Sequence, residues 1–121
     1  DMKVLTALPS AEFNILHVCQ DHNMFPSWTD YPVQVFNWDA LGEGNPGLAE
    51  GKALVGGRTV MGGLAHRASL KRATPESLTE SVRRLKAEMG NTGWMLANGC
   101  SYWPEETEVK IRLMRQLADG T

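Results

Sequence analysis

Hydrophobic and polar residues along the chain alternate between two periodicities, and their order predicts strands that are each followed by a helix. Four short apolar or β-branched runs have the length of strands, at residues 14–18, 32–37, 59–62 and 93–97. Each run is followed by a glycine-rich or polar turn and then by helical spacing. Strands that alternate with helices pair in parallel through right-handed crossovers. The pattern therefore predicts an α/β fold with a parallel sheet.

The helix after the third strand has the clearest boundaries. Thr74 and Pro75 form an N-cap and first-turn pair, and Gly90 stops the pattern. Between them the apolar positions recur at helical spacing: Leu78, Val82, Leu85 and Met89. We expect this face of the helix to be buried.

The segments that follow the other three strands have less regular sequence patterns. "GLAEGKALVGG" (47–57) predicts a short helix with glycines at both ends, and "QDHNMFPSWTDYP" (20–32) predicts a long irregular loop with one helical turn. After the fourth strand, Pro104, Glu105 and Glu106 favour the first turn of a helix, where the helix dipole stabilises negative charge. The buried stripe predicted for this last helix consists of Val109, Leu113 and Leu117.

The opening residues resemble the end of a helix more than the start of a domain. Met2, Leu5 and Leu8 lie on one side of that predicted helix. Four β/α units predict either a small open sheet or half of an eight-stranded barrel. The helical opening favours the half-barrel, because it matches the end of a unit whose strand is missing. We expect residues 1–121 to be a single-domain fragment of a longer chain.

Composition and charge narrow the class of protein. The chain has 121 residues, of which 42% are hydrophobic and 21% charged, as in ordinary globular domains. A net charge of -2 gives no basic surface for nucleic acid. No apolar run is long enough for a membrane span, and the first residues lack a signal-peptide pattern. We therefore expect a cytoplasmic protein with neither nucleic acid nor membrane as a partner.

Three metal-ligating side chains lie at the carboxyl ends of predicted strands, where sites form in parallel β/α folds. His17 and Cys19 are two residues apart, so an extended segment points both to one side. Cys100 follows the fourth strand and reaches the same point if the sheet curls. One nitrogen and two sulfurs suit Zn²⁺ and leave a fourth tetrahedral position open. Zinc in such a site would activate an exogenous thiol, so the predicted reaction class is alkyl transfer to sulfur.

Simple packing is the alternative interpretation of these three residues. Buried cysteines are common in cores, and a histidine at a strand end is often hydrogen-bonded to the backbone. The H-x-C spacing of His17 and Cys19 is also a weaker signal than two paired CxxC motifs. A disulfide between Cys19 and Cys100 is less expected in a reducing compartment.

Several segments together resemble the C-terminal half of the uroporphyrinogen decarboxylase superfamily. In chain order they are "ILHVCQDHN", "VQVFNWDA", "GRTVMGGLA", "TPESLTESVRRLKAEMG" and "GWMLANGCSYWPEETEVKIRLM". The resemblance runs nearly end to end. It implies that these segments form the fifth to eighth strands and their helices in a (β/α)8 TIM barrel.

The resemblance also implies an activity. The superfamily includes zinc methyltransferases that move a methyl group from methylcobalamin on a corrinoid protein to a small thiol such as coenzyme M. Their ligand pattern, an H-x-C and a distant cysteine, matches His17, Cys19 and Cys100. The decarboxylase branch of tetrapyrrole biosynthesis needs no metal and typically has a "GHG"-like stretch where this chain has "NGCSY". Methyl transfer is therefore favoured, and uroporphyrinogen decarboxylation is the alternative.

A half-barrel has two open sheet edges, so we expect this chain to associate with another barrel half. The partner is the N-terminal half of the barrel or a second copy of the chain, as a homodimer. The isolated chain is expected to be inactive. A non-catalytic half-barrel that self-associates is a third possible function.

Four residues near strand ends are candidate substrate-binding positions. Trp38 and Asp39 follow the second predicted strand, where the decarboxylases also have a tryptophan after a buried run. Asp39 either orients the substrate or a ligand histidine, or serves as a helix cap. Gly62 and Gly63 either let a ligand approach the backbone or form a tight turn.

Four further residues lie near the predicted mouth of the barrel. Tyr102 and Trp103 directly follow Cys100, and they either form a wall of the pocket or cover the last helix. His22 and His66 lie in loops, where a surface role is favoured over a role in the site.

Overall fold

The chain folds as a four-stranded parallel sheet whose strands alternate with helices. The structure is a computed structural model that describes residues 1–7, 11–64, 71–102 and 108–120. In chain order its elements are α1 (Met2–Ala7), β1 (Ile15–Val18), a 3-10 helix (Phe25–Trp28), β2 (Val35–Trp38), α2 (Leu48–Leu54), β3 (Thr59–Leu64), α3 (Pro75–Met89), β4 (Trp94–Asn98) and α4 (Glu108–Asp119). This order confirms the predicted α/β class.

The strands lie in the sheet in the same order as in the sequence, β1-β2-β3-β4, and every neighbouring pair is parallel. Their register aligns His17 with Asn37 and Asn37 with Met61. Because side chains alternate between the faces of a strand, this row lies on the face opposite to Phe36 and Val60. Parallel strands in sequence order, joined by right-handed crossovers, place their helices on one face.

The main core lies on the helix-covered face of the sheet. Phe36, Trp38 and Val60 are fully buried there. The Trp38 ring packs 4.2 Å from the Phe25 ring, and its indole N–H donates a hydrogen bond of 2.8 Å to Pro46 O. A β-carbon at Gly51 in α2 would lie 2.2 Å from the Trp38 ring, so glycine is needed for this helix to approach the sheet.

A second cluster joins the last two helices to the end of β3. Leu64, Leu78 and Val82 form its buried part, and Leu113 and Leu117 of α4 pack against it. Val109, in the first turn of α4, is 69% exposed, so the buried position predicted for it was wrong. The reason is that α4 contacts this cluster through its later turns.

The predicted boundaries of α3 are confirmed by its caps. Thr74 Oγ1 accepts a hydrogen bond from Ser77 N–H (3.2 Å), and Ser77 Oγ accepts one from Thr74 N–H (3.0 Å). Pro75 opens the helix, and Gly90 ends it at a φ of +72°. The predicted face is also buried, except that Leu85 is partly exposed.

The second strand begins three residues later than predicted, at Val35. The guanidinium of Arg58 donates hydrogen bonds to Tyr31 O (2.9 Å) and Val33 O (3.1 Å), so these carbonyls face Arg58. Two predictions agree with the structure, the short helix after β2 and the helical turn in the loop after β1. Leu8, Pro104, Glu105 and Glu106 lie outside the described residues.

Among the helices that the structure describes, none has the length and apolar character that a membrane crossing requires.

Candidate metal centre

The three predicted ligands come together at the carboxyl end of the sheet. His17, Cys19 and Cys100 each offer one ligand atom, and these atoms lie within 4.8 Å of one another. The two sulfur atoms are 3.5 Å apart. Within the residues that the structure describes, this set is a possible metal-binding group.

This convergence requires a strongly curved sheet. β1 and β4 are the two edges, and three interstrand spacings of a flat sheet would separate them by about 14 Å. Asn37 of β2 shows the same curvature, because its Nδ2 group donates to Met61 O on β3 (2.8 Å) and also to Asn98 O on β4 (3.2 Å). The face that carries His17 and Asn37 is therefore concave.

Asn37 also orients the ligand histidine. Its Oδ1 atom lies 2.6 Å from His17 Nδ1. The two donor bonds of Nδ2 to backbone carbonyls fix which way the Asn37 amide points, so Oδ1 accepts and Nδ1 carries the hydrogen. Nε2 of His17 is then left with its lone pair for a metal. A buried partner on the other ring nitrogen is the usual support of a histidine ligand.

The loop after β1 holds Cys19 in an unusual backbone setting. Gln20, His22 and Met24 all have positive φ, at 76°, 48° and 53°. Non-glycine residues in this region carry strain that the surrounding structure must offset. Asn45 supplies part of that support, since it accepts from Asn23 N–H (2.9 Å) and donates to Gln20 O (2.9 Å).

Gly99 allows the end of β4 to approach the end of β2. A β-carbon at this position would lie 2.4 Å from Asp39 Cα, a distance that only a backbone shift could relieve. Gly99 N–H also donates to Leu64 O (2.8 Å), which continues the pairing with β3. The next residue, Cys100, is thereby brought over the concave face.

The thiol of Cys100 is acidic for a cysteine. Burial is the largest single influence and would raise its pKa. Hydrogen bonds with the backbone and side chain of Ser101, with Cys19 and with His17 together outweigh burial and lower the pKa from 9.0 to about 7. A substantial share of this group is therefore thiolate near neutral pH, the form in which cysteine binds metals.

Two cavities border the ligand group. The β1 cavity, of about 430 Å³, is bounded by β1 and its loop and includes His17, Cys19, Asp21 and His22. The β4 cavity, of about 330 Å³, is lined by residues of β2, β3, β4 and α4 and has Cys100 in its wall. Residues of the ligand group therefore border both cavities.

Trp38 and Asp39 do not join the ligand group. Trp38 is fully buried in the helix-side core described above. Asp39 is buried, and its Oδ1 atom accepts a hydrogen bond from Leu41 N–H (3.1 Å) in the turn after β2. This contact lies within a turn, so Asp39 is not the cap of α2, whose N-cap is Gly47.

The paired glycines of β3 are explained by packing. A β-carbon at Gly62 would lie 3.1 Å from Trp38 O, and one at Gly63 would lie 2.7 Å from Leu85 Cδ1. Gly63 also has a φ of +99°, which side chains rarely adopt. These contacts are with β2 and α3, so the glycines allow close packing between elements.

The remaining candidates divide between the cavity and the surface. Tyr102 lines the β4 cavity, as one of its two interpretations proposed. His22 is exposed, and its Nε2 atom lies 3.4 Å from Glu43 Oε1. His66 and Trp103 lie outside the described residues.

The sequence interpretation missed two residues that position the ligands, Asn37 and Gly99. Asn37 carried a usable signal, because it is a polar residue within the otherwise apolar run "VFNW" of β2. Such a residue in a buried strand needs hydrogen-bond partners. Gly99 carried a weaker signal, its position directly before Cys100.

No protein-family model, curated protein or solved structure matches the chain. The parallel α/β sheet and the group of His17, Cys19 and Cys100 are therefore the observations from which a function is inferred.

Proposed function

We propose that this chain is the C-terminal half of a (β/α)8 barrel of the uroporphyrinogen decarboxylase superfamily, and that it holds zinc to activate a thiol for methyl transfer. The observation that carries the proposal is the convergence of His17, Cys19 and Cys100 from opposite edges of the sheet. Simple packing of cysteines does not require three ligand atoms to meet at the carboxyl ends of the strands.

The strand order supports the barrel part of this proposal. In a (β/α)8 barrel, consecutive parallel strands are neighbours, and the active site lies at their carboxyl ends. The four strands here follow that order. The bonds from Asn37 to Met61 and Asn98 give the sheet the inward curvature that a barrel wall needs.

The donor set supports zinc as the metal. One imidazole nitrogen and two thiolates form a borderline-soft set, and three protein ligands leave one tetrahedral position for a substrate. Zinc in this group would supply the positive charge that lowers the pKa of a thiol in the fourth position. His17 and Cys19 are exposed and Cys100 is partly exposed, which gives a small thiol access to that position.

The chain's own residues have separable tasks in this proposal. Asn37 holds His17 with Nε2 available, and Cys19 and Cys100 supply the two sulfurs. The substrate thiol would lose its proton to solvent, and its sulfur would form the new bond to the methyl carbon. Methylcobalamin on a corrinoid partner would supply that methyl group and would keep the electron pair of the broken cobalt–carbon bond.

Thiol binding by the zinc-loaded chain tests this function. Adding 2-mercaptoethanol in weakly buffered solution at pH 7 should release about one proton per site, because the bound form is the thiolate. Cys100→Ala should abolish the release, and His22→Ala, a change of an exposed histidine outside the ligand group, should leave it intact. Absence of proton release from zinc-loaded protein would contradict thiol activation. Turnover of uroporphyrinogen by the metal-free full-length protein would establish decarboxylation instead.

Exposed apolar side chains favour a second candidate function, association of this chain with another barrel half. Ile15 is 46% exposed and Met95 is 43% exposed, on the two edge strands. Both lie on the concave face, Ile15 two residues before His17 and Met95 aligned with Met61. A second copy of the chain, or the N-terminal half of the barrel, would cover them. Sedimentation that shows only monomer at high concentration would contradict pairing between copies.

A further inference from the structure

The β4 cavity has a distinct chemical character. Its lining comprises Asn37, Met61, Ala97, Asn98, Cys100, Tyr102, Ile111 and Met114. Four of these side chains are apolar, and the polar groups are the Cys100 thiol, the Tyr102 hydroxyl and the amides of Asn37 and Asn98. The Asn37 amide is already bonded to His17, Met61 O and Asn98 O. Its volume of about 330 Å³ lies at the small end of the range for ligand pockets. A short alkyl chain or a single aromatic ring is the size of group that it accommodates.

The cavity shares its wall with the candidate metal centre. Cys100 belongs to both, and Asn37, which orients His17, lines the cavity as well. A thiol whose sulfur lies beside Cys100 can therefore extend its organic group into this space. Methionine side chains are flexible and polarisable, so Met61 and Met114 can adapt to groups of different shape.

The β1 cavity, which also borders the metal centre, is less suited to an anionic group. The carboxylate of Asp21 lies in its lining. The histidine there, His22, lies 3.4 Å from the Glu43 carboxylate. A thiol with a carboxylate or sulfonate would meet the Asp21 carboxylate in the β1 cavity. In the β4 cavity, none of the lining residues that the structure describes has a cationic side chain to pair with it.

We propose that the β4 cavity binds the organic part of the thiol substrate and selects an uncharged, apolar group. This inference rests on the proposed thiol activation and names the substrate class for it. Each methylene group that enters the cavity should increase affinity about fourfold. A terminal carboxylate of the same length should weaken binding, because it would lose its hydration in the apolar lining.

The proposal is tested by measuring the binding of matched thiols to the chain loaded with Co²⁺. The absorption band between a bound sulfur and the cobalt ion reports thiol binding. Affinity should rise about fourfold per methylene from ethanethiol to butane-1-thiol. 3-Mercaptopropionate, which has a similar length, should bind at least about tenfold more weakly than butane-1-thiol. Bound cobalt is measured in the same samples, so that removal of the metal by the thiol is detected.

Charge variants then locate the effect. Ile111 is 41% exposed and can be replaced without emptying the core, so Ile111→Lys should bring an ammonium to the cavity and reduce or reverse the preference for butane-1-thiol. Met24→Lys is the matched control, because Met24 is exposed and lines the β1 cavity. It should leave the preference unchanged. Met61→Gln provides a second, uncharged change within the β4 cavity and should weaken the gain per methylene.

The outcomes separate this inference from the proposed function. The cavity assignment would be overturned if 3-mercaptopropionate bound as tightly as butane-1-thiol or more tightly. It would also be overturned if the preference for butane-1-thiol changed in Met24→Lys but not in Ile111→Lys. Stoichiometric metal and thiol binding in those samples would leave thiol activation standing. Failure of the unmodified chain to bind metal would overturn both.

Discussion

The centre and the edges of the sheet differ in burial and in what they contribute to the candidate metal centre. All four residues of β2 are buried, whereas β1 has a single buried residue, Val18, and β4 has none. Yet the edge strands deliver the ligands: His17 and Cys19 from β1 and its end, and Cys100 from the end of β4. The central strand contributes Asn37, which is only 6% exposed and bonds to β1, β3 and β4. The candidate ligands thus lie on exposed edges, and a buried residue of the centre bonds to one of them.

Oxidation of the two cysteines is the most visible test of whether the ends of β1 and β4 lie close together. Cys19 and Cys100 have sulfur atoms 3.5 Å apart, so diamide should convert the metal-free chain almost completely to an intramolecular disulfide, with the diamide taking up two hydrogen atoms. Mass spectrometry of the intact chain would show the loss of two hydrogen atoms. Mass spectrometry of its peptides would show that Cys19 is linked to Cys100. Formation of only intermolecular disulfides would mean that the edges lie apart in solution.

Removing the central support should have the next largest effect. Asn37→Leu takes away the acceptor of His17 Nδ1 and the donor to Met61 O and Asn98 O. We expect metal affinity to fall about 10- to 100-fold, as for other partners of ligand histidines. Unfolding free energy should fall by about 1–3 kcal/mol, because buried polar groups lose their partners.

Asn37→Asp separates the two roles of Asn37. The carboxylate still accepts from His17 Nδ1 but no longer donates to the two carbonyls. Metal affinity should therefore exceed that of Asn37→Leu, while stability remains reduced. Competition with a chelating indicator measures the metal affinity, and urea unfolding measures the stability. Equal metal affinity in the native chain and both variants would show that Asn37 does not position His17.

Gly99→Ala should act on the edge that carries Cys100. The new methyl group would have to displace Asp39, and crowding of this kind typically costs about 1–3 kcal/mol. The shift moves Cys100, so disulfide closure by diamide should slow and metal affinity should fall. Gly47→Ala is the matched control, because a β-carbon there meets nothing within 4 Å. Similar losses of metal affinity in Gly99→Ala and Gly47→Ala would show that Gly99 has no specific role in placing Cys100.

An exposed edge position outside the ligand group should matter least. Ile15→Thr changes a residue of β1 that is 46% exposed, and surface changes of this kind usually alter stability by no more than about 0.5 kcal/mol. Metal affinity should be unchanged. A loss comparable to that of Asn37→Leu would mean that the edge strand itself supports the site.

Much of the fold follows from local sequence signals. The capping box of Thr74 and Ser77 and the terminal Gly90 define α3 without help from the rest of the chain. The start of β2 was less predictable, because the distant Arg58 binds the carbonyls of residues before Val35. The exposure of Val109 likewise depends on where α4 meets its neighbours.

The candidate ligand group could also be predicted from the sequence, but the residues that support it could not. His17, Cys19 and Cys100 are recognised by residue type and by their places at strand ends. The role of Asn37 depends on the curvature that brings β4 within reach of β2, and the role of Gly99 depends on the proximity of Asp39. Such contacts between distant segments have no fixed spacing along the chain.

Zinc content per chain tests the central claim most directly. After saturation with zinc and exhaustive dialysis, elemental analysis of the unmodified chain should give about one zinc per molecule. His17→Ala, Cys19→Ala and Cys100→Ala should each bring the content close to zero, and His22→Ala should retain it. Far-UV circular dichroism of the same samples confirms that each variant is folded. Full zinc content in folded Cys100→Ala would contradict the three-ligand site.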